Sequence, residues 1–206
     1  MNFDKILLSL SLLSLLMTSA TASEPNIYIG AGYGSTGFFD DDMVKDVAPG
    51  ASLDKSDMGF ILYSGWMFNN IVGVELGYTD YGSFTLDDTS IDAASYSVSA
   101  NLGYTFLDGQ LRPFGLVGLS YIDHDYPKGD DQNNVDPTNG ALHLGIGVHY
   151  LPTVLYGVGV RLAYEADVYS ADTVSTTTNG SGDVITTTDT YTQTMGIIYL
   201  GVDYNF

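Results

Sequence analysis

Apolar residues fall at every second position through most of this chain, a period that suits a β-strand and no helix. The clearest run is ASYSVSANLGYTF, with Tyr96, Val98, Ala100, Leu102, Tyr104 and Phe106 on one face and Ser97, Ser99, Asn101, Gly103 and Thr105 on the other. NIYIGAGYGS sets Ile27, Ile29, Ala31 and Tyr33 against Tyr28, Gly30, Gly32 and Gly34. NIVGVELGYTDYG sets Val72, Val74, Leu76 and Tyr78 against Gly73, Glu75, Gly77 and Thr79. In GALHLGIGVHY, Leu142 to Tyr150 alternate with His143, Gly145, Gly147 and His149. In LYGVGVRLAYEADV, Tyr156 to Tyr164 alternate with Gly157, Gly159, Arg161, Ala163 and Glu165. The last run, MGIIYLGVDYNF, puts Ile198, Leu200, Val202, Tyr204 and Phe206 together and Asp203 opposite them. MGFILYSGWMF and RPFGLVGLSYI also read as strands, with a facing that the residues leave open.

Three short connections separate these runs, at Asn69-Asn70, Asp108-Gly109 and Leu151-Pro152-Thr153, all of turn-forming composition. They alternate with long polar ones near 37–57, 82–92, 123–139 and 169–189. Eight strands so joined make an antiparallel up-and-down meander with every long loop at one end. A soluble sandwich or a lipocalin-like barrel would alternate too, so the less apolar face has to decide. In a soluble protein that face is solvated and charged, whereas here it is mostly Gly, Ser and Ala. Small residues suit the crowded inside of a small closed barrel. The apolar face then looks outward, with tyrosines and phenylalanines gathered near both strand ends, as in a barrel that crosses a membrane. In lipid every backbone polar group must be satisfied internally, so such a sheet has to close. The expected fold is all-β: an eight-stranded antiparallel up-and-down transmembrane β-barrel.

The N-terminal MNFDKILLSLSLLSLLMTSATA reads differently. A lysine, an apolar run from Ile6 to Met17 and Ala20-Thr21-Ala22 form a secretory signal with its cleavage site, the alternative being an uncleaved anchor. Residues 1–22 are therefore expected to leave, and residues 23–206 to form one barrel domain. No cysteine is present, so neither disulfide nor thiol chemistry enters. A formal charge of −19 argues against nucleic acid as a partner.

Gly32, Gly34 and Gly37 also spell G-x-G-x-x-G, with Asp57 some distance on, the pattern of a dinucleotide site. That site needs a helix N-terminus for the pyrophosphate, and FFDDDMVKD offers carboxylates and no helical apolar stripe. Gly30, Gly32 and Gly34 read instead as relief from crowding on one face of the first strand, and Gly37 as the start of the first outer loop.

The segments YIGAGYG, VGVELGYTDYG, SANLGYTF, RLAYE and YLGVDYNF, in that order, resemble the eight-stranded barrel domain of OmpA-type outer-membrane proteins. The resemblance implies a bacterial outer-membrane location, reached by way of the signal peptide, and contact with outer-membrane lipid and lipopolysaccharide. It also implies that the barrel assembly machinery reads the aromatic end of the last strand, here Tyr204 and Phe206. OmpA itself adds a periplasmic peptidoglycan-binding domain, which is not expected here.

Inside the barrel, parity points Glu75 and Arg161 inward on the third and seventh strands, opposite each other. An unpaired Arg there is costly, so an ion pair is expected, with Glu165 as a competing partner. Similar positions in OmpA form a pair that plugs the lumen. The family's inward lysine on the fourth strand is replaced by Asn101, which weakens the case for a gating switch. His143, His149 and Asp203 are inward polar residues; a metal would need a third ligand at the height of the histidines, and both read as polar filling of the lumen. His124 is assigned to an outer loop. No His-x-Ser occurs on a strand, so a serine nucleophile lacks its base. The long loops carry −4, −3, −4 and, over 167–189, −4, most of the net charge. The function expected is non-enzymatic, structural or surface-binding through acidic outer loops of unknown partner, with a packed polar lumen and no cofactor. The alternatives are a narrow channel for small or apolar solutes, as in OmpW-type barrels, and a lipid A-modifying enzyme.

Overall fold

A computed structural model describes residues 26–39, 53–54, 56–86, 89–125, 135–137, 140–178 and 184–206. The signal segment 1–22 lies outside them. Eight long strands dominate: β1 (Asn26–Phe39), β2 (Ser56–Met67), β3 (Val72–Leu86), β4 (Thr89–Gly103), β5 (Leu111–Asp125), β6 (Gly140–Tyr150), β7 (Val158–Thr178) and β8 (Val184–Asn205). Each pairs antiparallel with its neighbour in sequence, and β1 also pairs with β8, from Tyr28 opposite Asn205 to Phe39 opposite Thr194. The sheet therefore closes on itself as an up-and-down barrel. Two short pieces, Leu53–Asp54 and Val135–Pro137, extend it against β3 and β7.

The alternation becomes inside and outside. Ile29, Leu76, Val98, Leu119, Ile146, Leu162 and Leu200 are exposed on the outer surface, forming a continuous apolar band. Aromatic side chains rim it at both ends. Tyr33, Phe60, Tyr96, Tyr121 and Tyr164 lie toward the long connections, and Trp66, Tyr104, Phe106, Tyr150, Tyr204 and Phe206 toward the short ones. Neighbouring rings touch tilted or edge-on, as in Tyr78–Tyr96 at 5.1 Å and Tyr204–Phe206 at 5.0 Å between centroids. The two strands of open facing also resolve. β2 turns Met58, Phe60, Leu62 and Trp66 outward and Ile61 and Tyr63 inward. β5 turns Val117, Leu119 and Tyr121 outward and Phe114, Leu116 and Ile122 inward.

Three expectations need correction. Much of the expected loops at 82–92 and 169–189 is strand, because β3 and β4 remain paired out to Leu86 opposite Thr89 and β7 and β8 out to Val184 opposite Thr178, and β1 runs past Gly37 to Phe39. Backbone pairing needs no apolar alternation once a hairpin stands clear of lipid, so the pattern stops before the strands do. For the same reason His124 belongs to β5, opposite Ala93, and not to a loop. Tyr156 does not open β7. The turn continues through a 3-10 segment, Thr153–Leu155, to Tyr156 at φ 48 and Gly157 at φ 97, and the strand starts at Val158.

Candidate functional site in the barrel lumen

Bare backbone makes the room. A Cβ on Gly30 would lie 2.7 Å from Asp203 Cβ, and one on Gly32 would lie 2.9 Å from Tyr199 Cε2. Gly30 and Gly32, the second of them part of the apparent dinucleotide pattern, thus leave space for side chains arriving from β2 and β8.

Arg161 reaches into that space from β7 and is 2% exposed. Nη1 and Nη2 donate to the two oxygens of Glu75, each at 2.9 Å, a two-point contact from β7 to β3. Nη2 also donates to Glu165 Oε1 at 2.9 Å. The guanidinium carbon sits 4.4 Å from the ring centroid of Tyr63 and 4.3 Å from that of Phe114. One cation is therefore matched by two carboxylates and faced by aromatic rings, the arrangement that makes a charge tolerable away from water.

The network continues from Glu75 toward the short turns. Glu75 Oε2 accepts from the Tyr28 hydroxyl and from Asn101 Nδ2, the latter at 3.0 Å. Asn101 Oδ1 accepts from Arg112 Nη1 at 2.7 Å, so Asn101 relays between an anion and a second cation. Asp203 lies near this end as well, accepting from Asn205 at 2.6 Å and Tyr63 at 3.2 Å, with His149 Nε2 at 2.9 Å.

Toward the long connections, the Tyr199 hydroxyl donates to Glu165 Oε1 at 2.5 Å. His143 stands between two carboxylates, with Nε2 at 3.3 Å from Glu165 and Nδ1 at 2.7 Å from Asp167. An imidazole donates from both nitrogens only when protonated, and this position offers an acceptor to each. Ser120 and Tyr81 donate to Asp167 at 2.7 and 2.8 Å. Glu75, Arg161, Glu165, His143 and Asp167 form one unbroken chain of carboxylates and basic side chains along the barrel interior.

Asp167, which the loop charge count includes, is fully buried in the lumen. Arg112, Tyr63, Phe114, Tyr81 and Tyr199 join it there without a signal as plain as the Glu75–Arg161 parity. Counting back by twos from the small residues Ser120 and Gly118 on β5 gives Leu116, Phe114 and Arg112 as inward, a signal the sequence does contain. Asn101, His143, His149 and Asp203 all face inward. Tyr204 and Phe206 end β8 on the outer surface, and the Phe206 amide donates to Ile27 O at 2.9 Å. A cavity of about 230 Å³ opens at the short-turn end, with Arg112, His149 and Asp203 on its walls, and reaches Tyr28, Phe114 and Arg161. Among the described residues, no three His, Asp or Glu side chains are grouped to hold a metal ion.

A sheet closed on itself, apolar and aromatic-rimmed outside and charge-matched inside, defines a membrane-spanning β-barrel with a filled lumen. The chain belongs to the outer membrane protein beta-barrel domain family, whose family model matches residues 6–206. Its fold is similar to that of Ail from Yersinia pestis, solved in complex with the heparin analogue sucrose octasulfate. The TM-score is 0.53 at 20% identity, over 89% of this chain and 100% of that one. Neisserial surface protein A gives 0.53 at 17% identity over the same shares of the two chains. The outer membrane protein OprG from Pseudomonas aeruginosa gives 0.51 at 13% identity, over 91% of this chain and 98% of its own. At these identities the likeness is one of fold. No curated protein matches the sequence.

Proposed function

We propose that this chain is a non-enzymatic barrel of the outer membrane that acts through its loop-bearing end, its lumen closed by Glu75, Arg161 and Glu165. The Arg161 guanidinium carries the reading, because it is tied to two carboxylates and stacked against Tyr63 and Phe114. An ion passing through would have to displace a buried cation from both of its carboxylates. The second reading, a narrow channel, is favoured by the cavity that already reaches Arg161 from the short-turn end. Planar-bilayer recording decides between them: wild-type protein is expected to be electrically silent, and steady unitary conductance in it overturns the plug.

The contacts of the two histidines support a non-enzymatic role, since His143 and His149 face carboxylates and not a serine hydroxyl. Lipid A from expressing and deleted cells is expected to have the same mass spectrum. Residues 1–22 act as the signal peptide, and Tyr204 and Phe206 are read by the barrel assembly machinery. The outer band contacts lipid, and the acidic outer segments contact lipopolysaccharide through bridging cations. With a formal charge of −19, the chain is unsuited to a polyanion such as the heparin analogue bound by Ail, so the loop-end partner is cationic or cation-bridged.

A further inference from the structure

We propose that the cavity at the short-turn end is a binding site for a small oxyanion, a short carboxylate or inorganic phosphate, held by Arg112. Each lumen carboxylate discussed above lies against a basic side chain: Glu75 and Glu165 against Arg161, Asp167 against His143, and Asp203 against His149. Arg112 has no carboxylate so placed. Among the described residues no carboxylate lies within salt-bridge distance of it, and its recorded acceptors are neutral: the Asn101 side chain and the carbonyls of Asn70 and Ile71.

Those three bonds use one N–H on each guanidinium nitrogen. One N–H remains on each of Nη1 and Nη2, the number that a bidentate oxyanion takes. The guanidinium is also held in place, lying against the bare backbone of Gly103. A Cβ there would come within 2.7 Å of Arg112 Cζ and 2.8 Å of Nη2. A half-buried cation with its fork fixed and its charge unmatched draws an anion more strongly than a mobile surface lysine does.

The cavity supplies the rest of the site. Asn26, Asn70, Thr105 and Asn205 line it with further polar groups. Arg161 at its inner limit keeps a buried Nε–H with no partner. Asp203, the one carboxylate on the wall, is already engaged by His149, Asn205 and Tyr63. The volume, about 230 Å³, is several times the ~30 Å³ that one water occupies, which suits a small hydrated anion and excludes a polymer.

The test is a titration of the full chain, refolded in phosphate-free maltoside micelles, with sodium phosphate, followed by nitrogen–proton NMR against sodium chloride of equal ionic strength. Saturable shifts are expected at the Arg112 side chain and at the amides of Thr105, Gly109 and Asn205. They should vanish in Arg112→Gln and weaken several-fold in Arg112→Lys, which keeps the charge and loses the fork. Altered mobility of unboiled samples on a gel verifies that each variant is folded. If Arg112→Gln does not fold, Arg112→Lys carries the comparison. Shifts equal in chloride, shifts unchanged by substitution of Arg112, or shifts that require added phospholipid overturn the proposal.

Discussion

Arg161 divides one guanidinium unequally between two carboxylates, and that division sets what substitutions should cost. Glu75 takes both terminal nitrogens, whereas Glu165 takes one and has His143 and Tyr199 as further partners. Removing one member of a buried pair is expensive because the other stays charged and dry, but Glu165 would still hold the cation. Glu75→Gln should therefore cost about 2–3 kcal/mol, below the full penalty of an orphaned buried charge. Glu165→Gln leaves the two-point contact intact but weakens the contacts of Glu165 with Arg161 and His143, so it should cost less, about 1.5 kcal/mol, the lower end for hydrogen bonds to charged groups. The double change Glu75→Gln with Arg161→Gln should recover part of the loss. Urea unfolding midpoints of refolded protein measure all three, and a Glu165→Gln loss larger than that of Glu75→Gln would reverse the assignment of the main partner. Parity in the sequence puts these three side chains on the inner face, where the structure has them. How the cation is shared depends on height along tilted strands, which alternation does not encode.

At the scale of strands and turns, what could be read depended on how unlike the two faces were. On β4 the outer face is apolar and the inner one is serine, asparagine and glycine, so facing follows from the residues alone. On β2 and β5 the inner face holds Ile61, Tyr63, Phe114, Leu116 and Ile122, so both faces are apolar, and only the small residues Gly118 and Ser120 mark the facing of β5. Those strands supply the rings around Arg161, which is why the aromatic part of the site was the harder part to foresee. The outer extensions of β7 and β8 were illegible for the opposite reason, since strands in water need no apolar face. Tight inner faces also make a prediction. A Cβ at Gly34 on β1 would stand 2.6 Å from Tyr199 Cα and 2.7 Å from the Ile198 carbonyl carbon, backbone that cannot swing aside. Gly34→Ala should cost about 2 kcal/mol, in the range of overpacked cores. Gly115→Ala meets nothing nearer than 3.6 Å and should be neutral or gain up to about 1 kcal/mol through the unfolded chain. Equal midpoints for the two variants would show that the β1–β8 seam has slack.

For the molecule as a whole, closure is the property that matters, because a sealed sheet has no edge at which unfolding can start. Unboiled protein in detergent should run at a different mobility from a boiled sample, and identical mobility in both would remove the case for a closed barrel. The seam that completes the ring joins Tyr28 to Asn205 and Phe39 to Thr194, the first strand described to the last. Synthesis delivers β1 long before β8. Until β8 emerges, each earlier strand belongs to a ribbon with two raw margins, and β1 waits for its partner across the seam. A chain stopped short is then no smaller version of the protein but an open template for aggregation. Fragments ending before Val184 should accordingly show no heat-dependent mobility and should be cleared by periplasmic proteases, which a pulse-chase of truncated chains would reveal. By the same geometry, a machinery that gripped β8 would act only on chains in which every long strand of the sheet has been made.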